Sequence, residues 1–225
     1  MRIVSITATL AVLLLAGLTL DAQQATQWPG IFRTPLVDNP SAAVNRFTFQ
    51  PGGREKAHTH PFGVVLIVLS QGEGELLQGT ETYTRALQAG EVYYTEPQES
   101  HAWANVGSSP FDVVIVTPRV DRVPGGTAPP IPLAAGITAK MALDSPDSTV
   151  RRVELGPGAR ETVHSHPYDL VVVPMTAGPM ELQLAGKTET KNYGTGDAFF
   201  VPRNTPHALA NPGKESRAVF AVAIK

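Results

Sequence analysis

Six histidines carry the clearest chemistry in this 225-residue sequence, and they form two sets with the same internal spacing. In the first set, His58 and His60 lie two residues apart, and His101 follows further along the chain. Residues at i and i+2 project from the same face of a β-strand, so the two imidazoles of a pair can reach one point. Imidazole is a ligand that suits Fe(II), Cu, Zn and Ni. The second set, with the same spacing, comprises His164, His166 and His207.

One offset of 106 residues, which carries His58 to His164, relates the two sets and much of the sequence around them. The register needs no gap, and it indicates an internal duplication. Histidines that only filled core space would not be confined to equivalent positions, so we interpret all six as metal ligands. Other matched pairs are Pro51 and Pro157, Gly52 and Gly158, Arg54 and Arg160, Gly72 and Gly178, Gly90 and Gly196, and Asn105 and Asn211.

The composition excludes several classes of partner and site. The chain has 18 Lys and Arg against 20 Asp and Glu, so no strong field favours nucleic acid or an anionic membrane surface. It has no cysteine, which excludes disulfides, thiolate catalysis and thiolate metal ligands. We therefore expect a small-molecule substrate or ligand and no nucleic-acid partner.

The first 22 residues differ from the rest of the sequence. One positive charge at Arg2 precedes an apolar run from Ile3 to Leu20, and Ala22 follows at its polar end. This pattern predicts a secretory signal peptide that is cleaved after Ala22. The alternative is an uncleaved membrane anchor, because the run is nearly long enough to span a bilayer. With cleavage, the mature protein is periplasmic or secreted and has no membrane attachment.

Short strands dominate the remaining sequence. Segments rich in β-branched and aromatic residues, bounded by Gly, Pro, Ser or Asn, recur over 44–117 and again over 149–224. We find no helical pattern of ordinary length, and many short strands favour barrels or sandwiches. The predicted division is a signal peptide over 1–22, an irregular arm over 23–36, a first barrel over 37–117, a Pro- and Gly-rich linker over 118–136 and a second barrel over 137–225.

The sequence resembles the cupin superfamily, and more narrowly the bicupins, which carry two small β-barrels in one chain. The first cupin motif combines a glycine, a His-x-His pair, a glutamate and a second glycine. Its places are taken by Gly52, His58, His60, Val65 and Gly72, and in the second copy by Gly158, His164, His166, Val171 and Gly178. The second motif is met by Gly196, Pro202, His207 and Asn211, and in the first copy by Gly90, His101 and Asn105. The resemblance implies an all-β fold of two tandem cupin barrels, which are double-stranded β-helices of the jelly-roll type.

The two copies depart from the cupin pattern at one ligand. The glutamate that cupins often use as a fourth ligand is replaced by Val65 and Val171, so each site offers three neutral nitrogens and no protein anion. Three protein ligands with open positions are typical of catalytic metal sites. Asp169 and Glu99 are the nearest acidic candidates for a replacement ligand. Asp169 is matched by Gly63 in the first copy, which argues against a ligand role shared by both sites.

The resemblance also implies the kind of chemistry. Cupin sites with three histidines and no glutamate are similar to those of oxygenases in which a substrate with two oxygen donors chelates Fe(II). We expect up to two divalent metal ions per chain, Fe(II), Mn, Ni or Zn, and dioxygenase-like chemistry on a small oxygenated organic substrate. Isomerase or lyase chemistry fits the same site. A different class remains open, a non-catalytic periplasmic module that binds metal or sugar. Cupin barrels commonly pair, so the resemblance also implies a homodimer.

More polar and aromatic residues surround the first predicted site than the second. Trp103, Tyr93 and Lys56 are predicted to form a substrate pocket. Glu99 and Tyr94 are the candidate catalytic groups, as a general acid or base near the metal. The alternative is that the aromatic residues are barrel core and the carboxylate belongs to a surface loop. Arg54 and Arg160 are predicted to pair with a neighbour such as Glu55 or Glu161, and the alternative is that they bind a substrate carboxylate.

Overall fold

The computed structural model describes residues 24–119 and 134–225, and these residues form β-strands and no helix. The predicted signal peptide and most of the predicted linker lie outside them. Within the described ranges, we find no helix with the length and hydrophobicity that a membrane crossing requires. In the first half the strands are β1 Gln24–Ala25, β2 Ile31–Asp38, β3 Ala42–Phe49, β4 Val64–Val68, β5 Gly72–Gln78, β6 Glu81–Leu87, β7 Val92–Thr95, β8 His101–Asn105 and β9 Phe111–Pro118.

The second half repeats this arrangement. Its strands are β10 Ile137–Asp144, β11 Ser148–Leu155, β12 Asp169–Pro174, β13 Gly178–Leu184, β14 Lys187–Tyr193, β15 Phe199–Val201, β16 His207–Ala210 and β17 Arg217–Ile224. β2, β3, β5, β6 and β9 have counterparts at the 106-residue offset with identical bounds. The internal duplication inferred from the histidines is therefore also a duplication of structure.

Each half forms two antiparallel sheets that enclose its own core. The larger sheets have the strand orders β1-β2-β3-β9-β4-β7 and β10-β11-β17-β12-β15. The smaller sheets have the orders β6-β5-β8 and β14-β13-β16. This is the all-β, two-barrel architecture that the sequence predicts.

Three strands have no counterpart among the predicted strands: β1 and β2 in the first barrel and β10 in the second. The expected irregular arm over 23–36 instead contains β1 and most of β2, which pairs along the whole of β3. Pro35 obscures this strand in the sequence, because proline removes a backbone donor. Here β1 pairs only as far as Arg33, so the edge of β2 beside Pro35 is open and the missing N–H breaks no ladder bond. The register shift between Pro35 and Val37 marks the same irregularity.

A hydrophobic cluster joins the two barrels through their larger sheets. Val65 and Ile67 from β4 and Val116 from β9 pack in one cluster with Val171 from β12 and Phe220 from β17. Strand β4 is buried along its full length because one face lines the first barrel and the other contacts the second. This explains why its sequence is a continuous apolar run instead of an alternating one.

Candidate metal centres

The first histidine triad is assembled from two segments. His58 and His60 lie before β4, and His101 is the first residue of β8. The backbone N–H of His58 donates to the carbonyl of His101 at 3.0 Å, and the N–H of His101 donates back at 3.0 Å. One ring nitrogen from each histidine lies within 4.8 Å of the others. The second triad, built in the same way, comprises His164, His166 and His207.

Hydrogen bonds to backbone carbonyls orient two rings of the first triad. His58 Nδ1 lies 2.9 Å from the carbonyl of Lys56, and His101 Nδ1 lies 3.1 Å from that of Glu99. A carbonyl can only accept, so each Nδ1 carries the hydrogen and Nε2 keeps its lone pair for a metal. In the second triad the carbonyls of Thr162 and Thr205 serve His164 and His207 in the same way.

Burial keeps the central imidazoles neutral. Desolvation, together with His101 and His58, lowers the pKa of His60 to about 4, and a similar environment lowers the pKa of His166 to about 4. Burial also lowers the pKa of His101 and of His207. Neutral imidazoles are the form that binds a cation. Three converging neutral nitrogens, two of them on rings with fixed tautomers, therefore fit a divalent metal ion in each barrel.

The fourth-ligand position lies one residue earlier than the sequence suggested. Val65 and Val171 belong to the cluster between the barrels, so neither faces a histidine triad. Their neighbours Val64 and Leu170 line the two cavities instead. Successive side chains of a strand point to opposite faces, which is why a shift of one residue changes the assignment. Both cavity positions are apolar and cannot ligate.

Acidic residues that the sequence analysis did not place at the sites line both cavities. Glu55 lines the first and Glu161 the second, and each is only 6% exposed. The predicted ion pairs with Arg54 and Arg160 are wrong, because these arginines pair across strands with Glu75 and Glu181. The signal that could have identified the buried pair is that Glu161 matches Glu55 at the 106-residue offset.

The other acidic candidates, Asp169 and Glu99, are held by hydrogen bonds outside the two ligand sets. Asp169 accepts hydrogen bonds from the backbone N–H of Arg203 at 2.8 Å and from its guanidinium at 2.9 Å. Although burial raises the pKa of Asp169, these bonds and one from Ser41 hold it below its usual range. Glu99 accepts from the side-chain amide of Gln78 at 3.0 Å and from the N–H of Glu96. Neither belongs to a set of converging ligand atoms among the described residues.

The first triad opens into a cavity of about 140 Å³. Its wall includes Trp28, whose ring centroid lies 5.0 Å from that of His58. Trp28 was not predicted, although the offset places Gly30 against Gly136 and so extends the repeat upstream of residue 37. The remaining lining residues are Asn45, Phe47, Glu55, His60, Val64, Leu66, Thr95, His101, Trp103, Ile115 and Thr117.

The second triad lies beside a much smaller cavity, of about 20 Å³. The ring of Tyr168 stacks on His166 with centroids 4.9 Å apart, and its hydroxyl lies 3.1 Å from His166 Nδ1. Arg151, which replaces Asn45 at the offset, lines the same cavity and is largely buried. Arg151 and Tyr168 thus both occupy space beside the second triad, where Tyr168 is matched by Phe62 in the first copy.

The structure places only one of the predicted pocket and catalytic residues in the wall of the first cavity. Trp103 lines the first cavity. Tyr93 lies outside it, in a groove beside β6, where its ring contacts Trp103 at 5.4 Å. Lys56 contributes only its carbonyl, because its side chain is exposed and does not line the cavity. Tyr94 donates a hydrogen bond to Asp147 of the second barrel at 2.8 Å, and Glu99 accepts hydrogen bonds from Gln78 of β5 and from Glu96 in its own loop.

Comparisons with known proteins agree with this geometry. The chain is 30% identical over 119 residues to an oxalate oxidase, GF-3.8, of Triticum aestivum, which covers 47% of this chain and 50% of that protein. It is 34% identical over 89 residues to germin-like protein 3-7 of Oryza sativa subsp. japonica, covering 38% of each. The chain thus spans about half the length, or less, of these curated relatives.

Solved structures share the two-barrel fold over nearly the whole chain. AerE from Microcystis aeruginosa superposes with a TM-score of 0.72 at 14% identity, covering 88% of this chain and 93% of that one. The oxalate decarboxylase of Lactobacillus farciminis gives 0.69 at 13% identity, covering 91% and 84%. The Cupin domain family matches twice, over residues 45–117 and 151–224. The chain therefore belongs to the cupin family, as a bicupin with one histidine triad in each barrel.

Proposed function

We propose that this protein is a metal-dependent enzyme that acts on a small oxygenated organic substrate in its first barrel. The observation that carries the proposal is the cavity of about 140 Å³ beside His58, His60 and His101. Small-molecule sites are concave, mostly apolar and equipped with a few convergent polar groups. This cavity has that character.

Different residues of the first barrel would bind the metal, line the cavity and orient the substrate. The three histidines would hold a divalent cation, which supplies Lewis-acid polarisation of substrate oxygens and, with iron or manganese, redox chemistry. Apolar walls that include Leu66, Ile115 and Trp103 would limit the access of bulk water once a substrate fills the cavity. The polar lining residues Asn45, Thr95 and Thr117 offer hydrogen bonds that orient an oxygenated substrate.

The relatives support a compact, oxygen-rich substrate. They include oxalate oxidases and oxalate decarboxylases, and the oxalate decarboxylase of Bacillus subtilis has Mn(II) centres. Oxalate is also a molecule with two oxygen donors that can chelate one cation. We infer dioxygenase- or oxidase-type chemistry as the leading reaction class, with decarboxylation or another lyase reaction as the second.

The experiment loads metal-free mature protein separately with Fe(II) and Mn(II) and supplies oxalate, a 1,3-diketone or a hydroxybenzoate under air. Dioxygen uptake and CO₂ release are recorded together. Dioxygen uptake supports oxidative chemistry, whereas CO₂ release without uptake supports lyase chemistry. We expect His58→Ala/His60→Ala to abolish turnover and His164→Ala/His166→Ala to retain it. Loss of turnover only in the second variant, or no turnover with either metal, contradicts the proposal.

The second barrel favours a non-catalytic role for its own triad. Tyr168 and Arg151 leave a cavity of about 20 Å³, which has little space for a substrate beside a metal ion. A metal held there would contribute mainly to stability, as structural metal sites do. We therefore propose that the first barrel is catalytic and that the second barrel holds a metal ion without binding substrate.

We further propose that the protein is exported and acts as a homodimer. Export is supported by the charged start, apolar run and Ala22 of the first 22 residues. The dimer is supported only by the general behaviour of cupin barrels. Intact mass of protein from the secreted or periplasmic fraction tests cleavage after Ala22, and light scattering of the same sample tests the dimer. A mass that includes the leader, or a monomer, contradicts the respective part.

A further inference from the structure

Two buried glutamates accompany the histidine triads, one in each barrel. Glu55 and Glu161 lie three residues before their His-x-His pairs, and each is 6% exposed. The residue after each glutamate differs between the copies, Lys56 in the first and Thr162 in the second, whereas the residue before it is arginine in both. The glutamate is therefore retained in both halves at a point where its neighbour has changed.

Paired hydrogen bonds tie each glutamate to the strand that carries the third histidine. The backbone N–H of Glu55 donates to the carbonyl of Trp103 at 2.9 Å, and the N–H of Trp103 donates to Glu55 Oε2 at 2.8 Å. Trp103 lies two residues after His101, so the carboxylate is held beside the triad. Glu161 makes the same two bonds with Leu209, both at 2.8 Å.

A buried carboxyl group in this position is stabilised as an anion only when a cation lies nearby. Burial raises the pKa of Glu55 and of Glu161, which shows that each cavity disfavours the bare anion. Arg54, the adjacent cation in sequence, pairs with Glu75 instead. Among the described residues that line the first cavity, none is lysine or arginine. The cation that would compensate Glu55 is thus one held by the histidines. The second cavity also contains Arg151, so for Glu161 the inference rests on its equivalent position and hydrogen bonds.

We propose that Glu55 and Glu161 are the anionic partners of the two metal sites. From three residues upstream of the histidine pair, they supply the negative charge that Val64 and Leu170 cannot supply from the strand. Only histidine nitrogens belong to the converging ligand atoms of each site. The glutamates therefore act beyond the three nitrogens, as positioning residues that stabilise the bound charge. This inference rests on the metal dependence proposed above.

Metal affinity without substrate tests the proposal directly. Mn²⁺ is titrated into metal-free wild type, Glu55→Gln and Glu161→Gln, and bound metal is counted after equilibrium dialysis. Tryptophan fluorescence reports the first site alone, because both tryptophans of the sequence, Trp28 and Trp103, line the first cavity. Loss of a partner outside the ligand set weakens metal binding about 10–100-fold. We expect this loss at the first site in Glu55→Gln and at the second in Glu161→Gln.

Three comparisons separate charge from structure. Glutamine retains an acceptor for the N–H of Trp103, so the metal-free Glu55→Gln variant should unfold at the wild-type midpoint. Glu55→Asp keeps the charge and should recover part of the lost affinity. Glu73→Gln makes the same chemical change at an exposed residue of the same barrel and should change nothing.

Two results overturn the inference. One is an affinity of Glu55→Gln and Glu161→Gln within about twofold of wild type, well short of the tenfold loss expected of such a partner. The other is an affinity loss that matches a loss of stability in the metal-free variants, which would make the role structural. If the affinity for Mn²⁺ depends on Glu55 but the wild-type protein turns over no substrate, only the proposed function is contradicted. An active enzyme indifferent to Glu55→Gln contradicts this inference alone.

Discussion

At the residue scale, the environment of each imidazole prepares it for a metal before any metal binds. Backbone carbonyls hold the hydrogen on Nδ1 of His58 and His101, and burial keeps His60 and His101 neutral. In the metal-free protein these polar rings are buried close together without a cation, which lowers the stability of the fold. A bound cation would offset that loss, so metal binding and folding are coupled.

The metal-free protein is expected to lose stability as the pH falls from about 6.5 towards 4. Folded His60 and His166 have a pKa of about 4, whereas an unfolded imidazole titrates near about 6.5. Between these values the unfolded chain binds more protons, so lowering the pH favours unfolding. The measurement is the free energy of unfolding of metal-free wild type across this window.

The control for this prediction is the double variant His60→Gln/His166→Gln. Glu55 and Glu161, whose pKa burial raises, contribute with the opposite sign and are present in both proteins. The difference between the two pH profiles therefore isolates the imidazoles. The variant should show the shallower dependence, and equal slopes would contradict the argument.

At the element scale, the alternation of side chains along a strand decides which residues reach a site. In β4, Val64 and Leu66 face the cavity while Val65 and Ile67 face the other barrel. The same rule divides β7, where Tyr93 packs with the core of the first barrel and Tyr94 packs between the barrels. Adjacent tyrosines thus have different surroundings, which a motif match alone does not reveal.

Tyr94→Phe is expected to lower stability without changing metal content. The hydroxyl donates to Asp147 at 2.8 Å, and burial followed by this bond raises the pKa of Tyr94. Its loss should reduce the free energy of unfolding by about 1 kcal/mol. Denaturant unfolding and metal analysis of the same sample give the two numbers. A loss of bound metal at unchanged stability would contradict this prediction and support a role for Tyr94 at the metal site.

The matched control is Tyr93→Phe. This tyrosine donates to the partly exposed Glu91 at 2.8 Å within its own barrel, so the contact it loses does not join the two halves. We expect a smaller change in stability than for Tyr94→Phe.

At the scale of the whole molecule, the two barrels share a core and should fold as one unit. Phe220 of the second barrel is 1% exposed and packs in the same cluster as Val65, Ile67 and Leu69 of the first. Asp147 adds polar contacts across the same boundary, accepting from the N–H of Gly63 at 3.0 Å. Duplication therefore produced an interface as well as a second site.

Phe220→Ala is expected to destabilise both barrels together, by about 3–5 kcal/mol, because it leaves a cavity in the shared core. Denaturant unfolding is followed by circular dichroism for the whole chain and by tryptophan fluorescence for the first barrel. Both midpoints should shift equally, although the change lies in the second barrel. A fluorescence midpoint that stays in place would show that the barrels unfold independently.

An exposed residue of the second barrel provides the control. Met141 is 50% exposed, and Met141→Ala should change the free energy of unfolding by no more than about 0.5 kcal/mol.

The sequence by itself determined the duplication, the all-β class and the six metal-site histidines, because these follow from residue types repeated at one offset. It could not decide what faces each triad. The fourth-ligand position, the cavity role of Glu55 and the interbarrel position of Tyr94 depend on strand parity and on contacts between residues far apart in the chain. The same holds for the unequal cavities, since Trp28, Arg151 and Tyr168 reach the triads only through tertiary packing. Spacing along a chain specifies which side chains share a face, whereas the space in front of that face is set by every element packed around it.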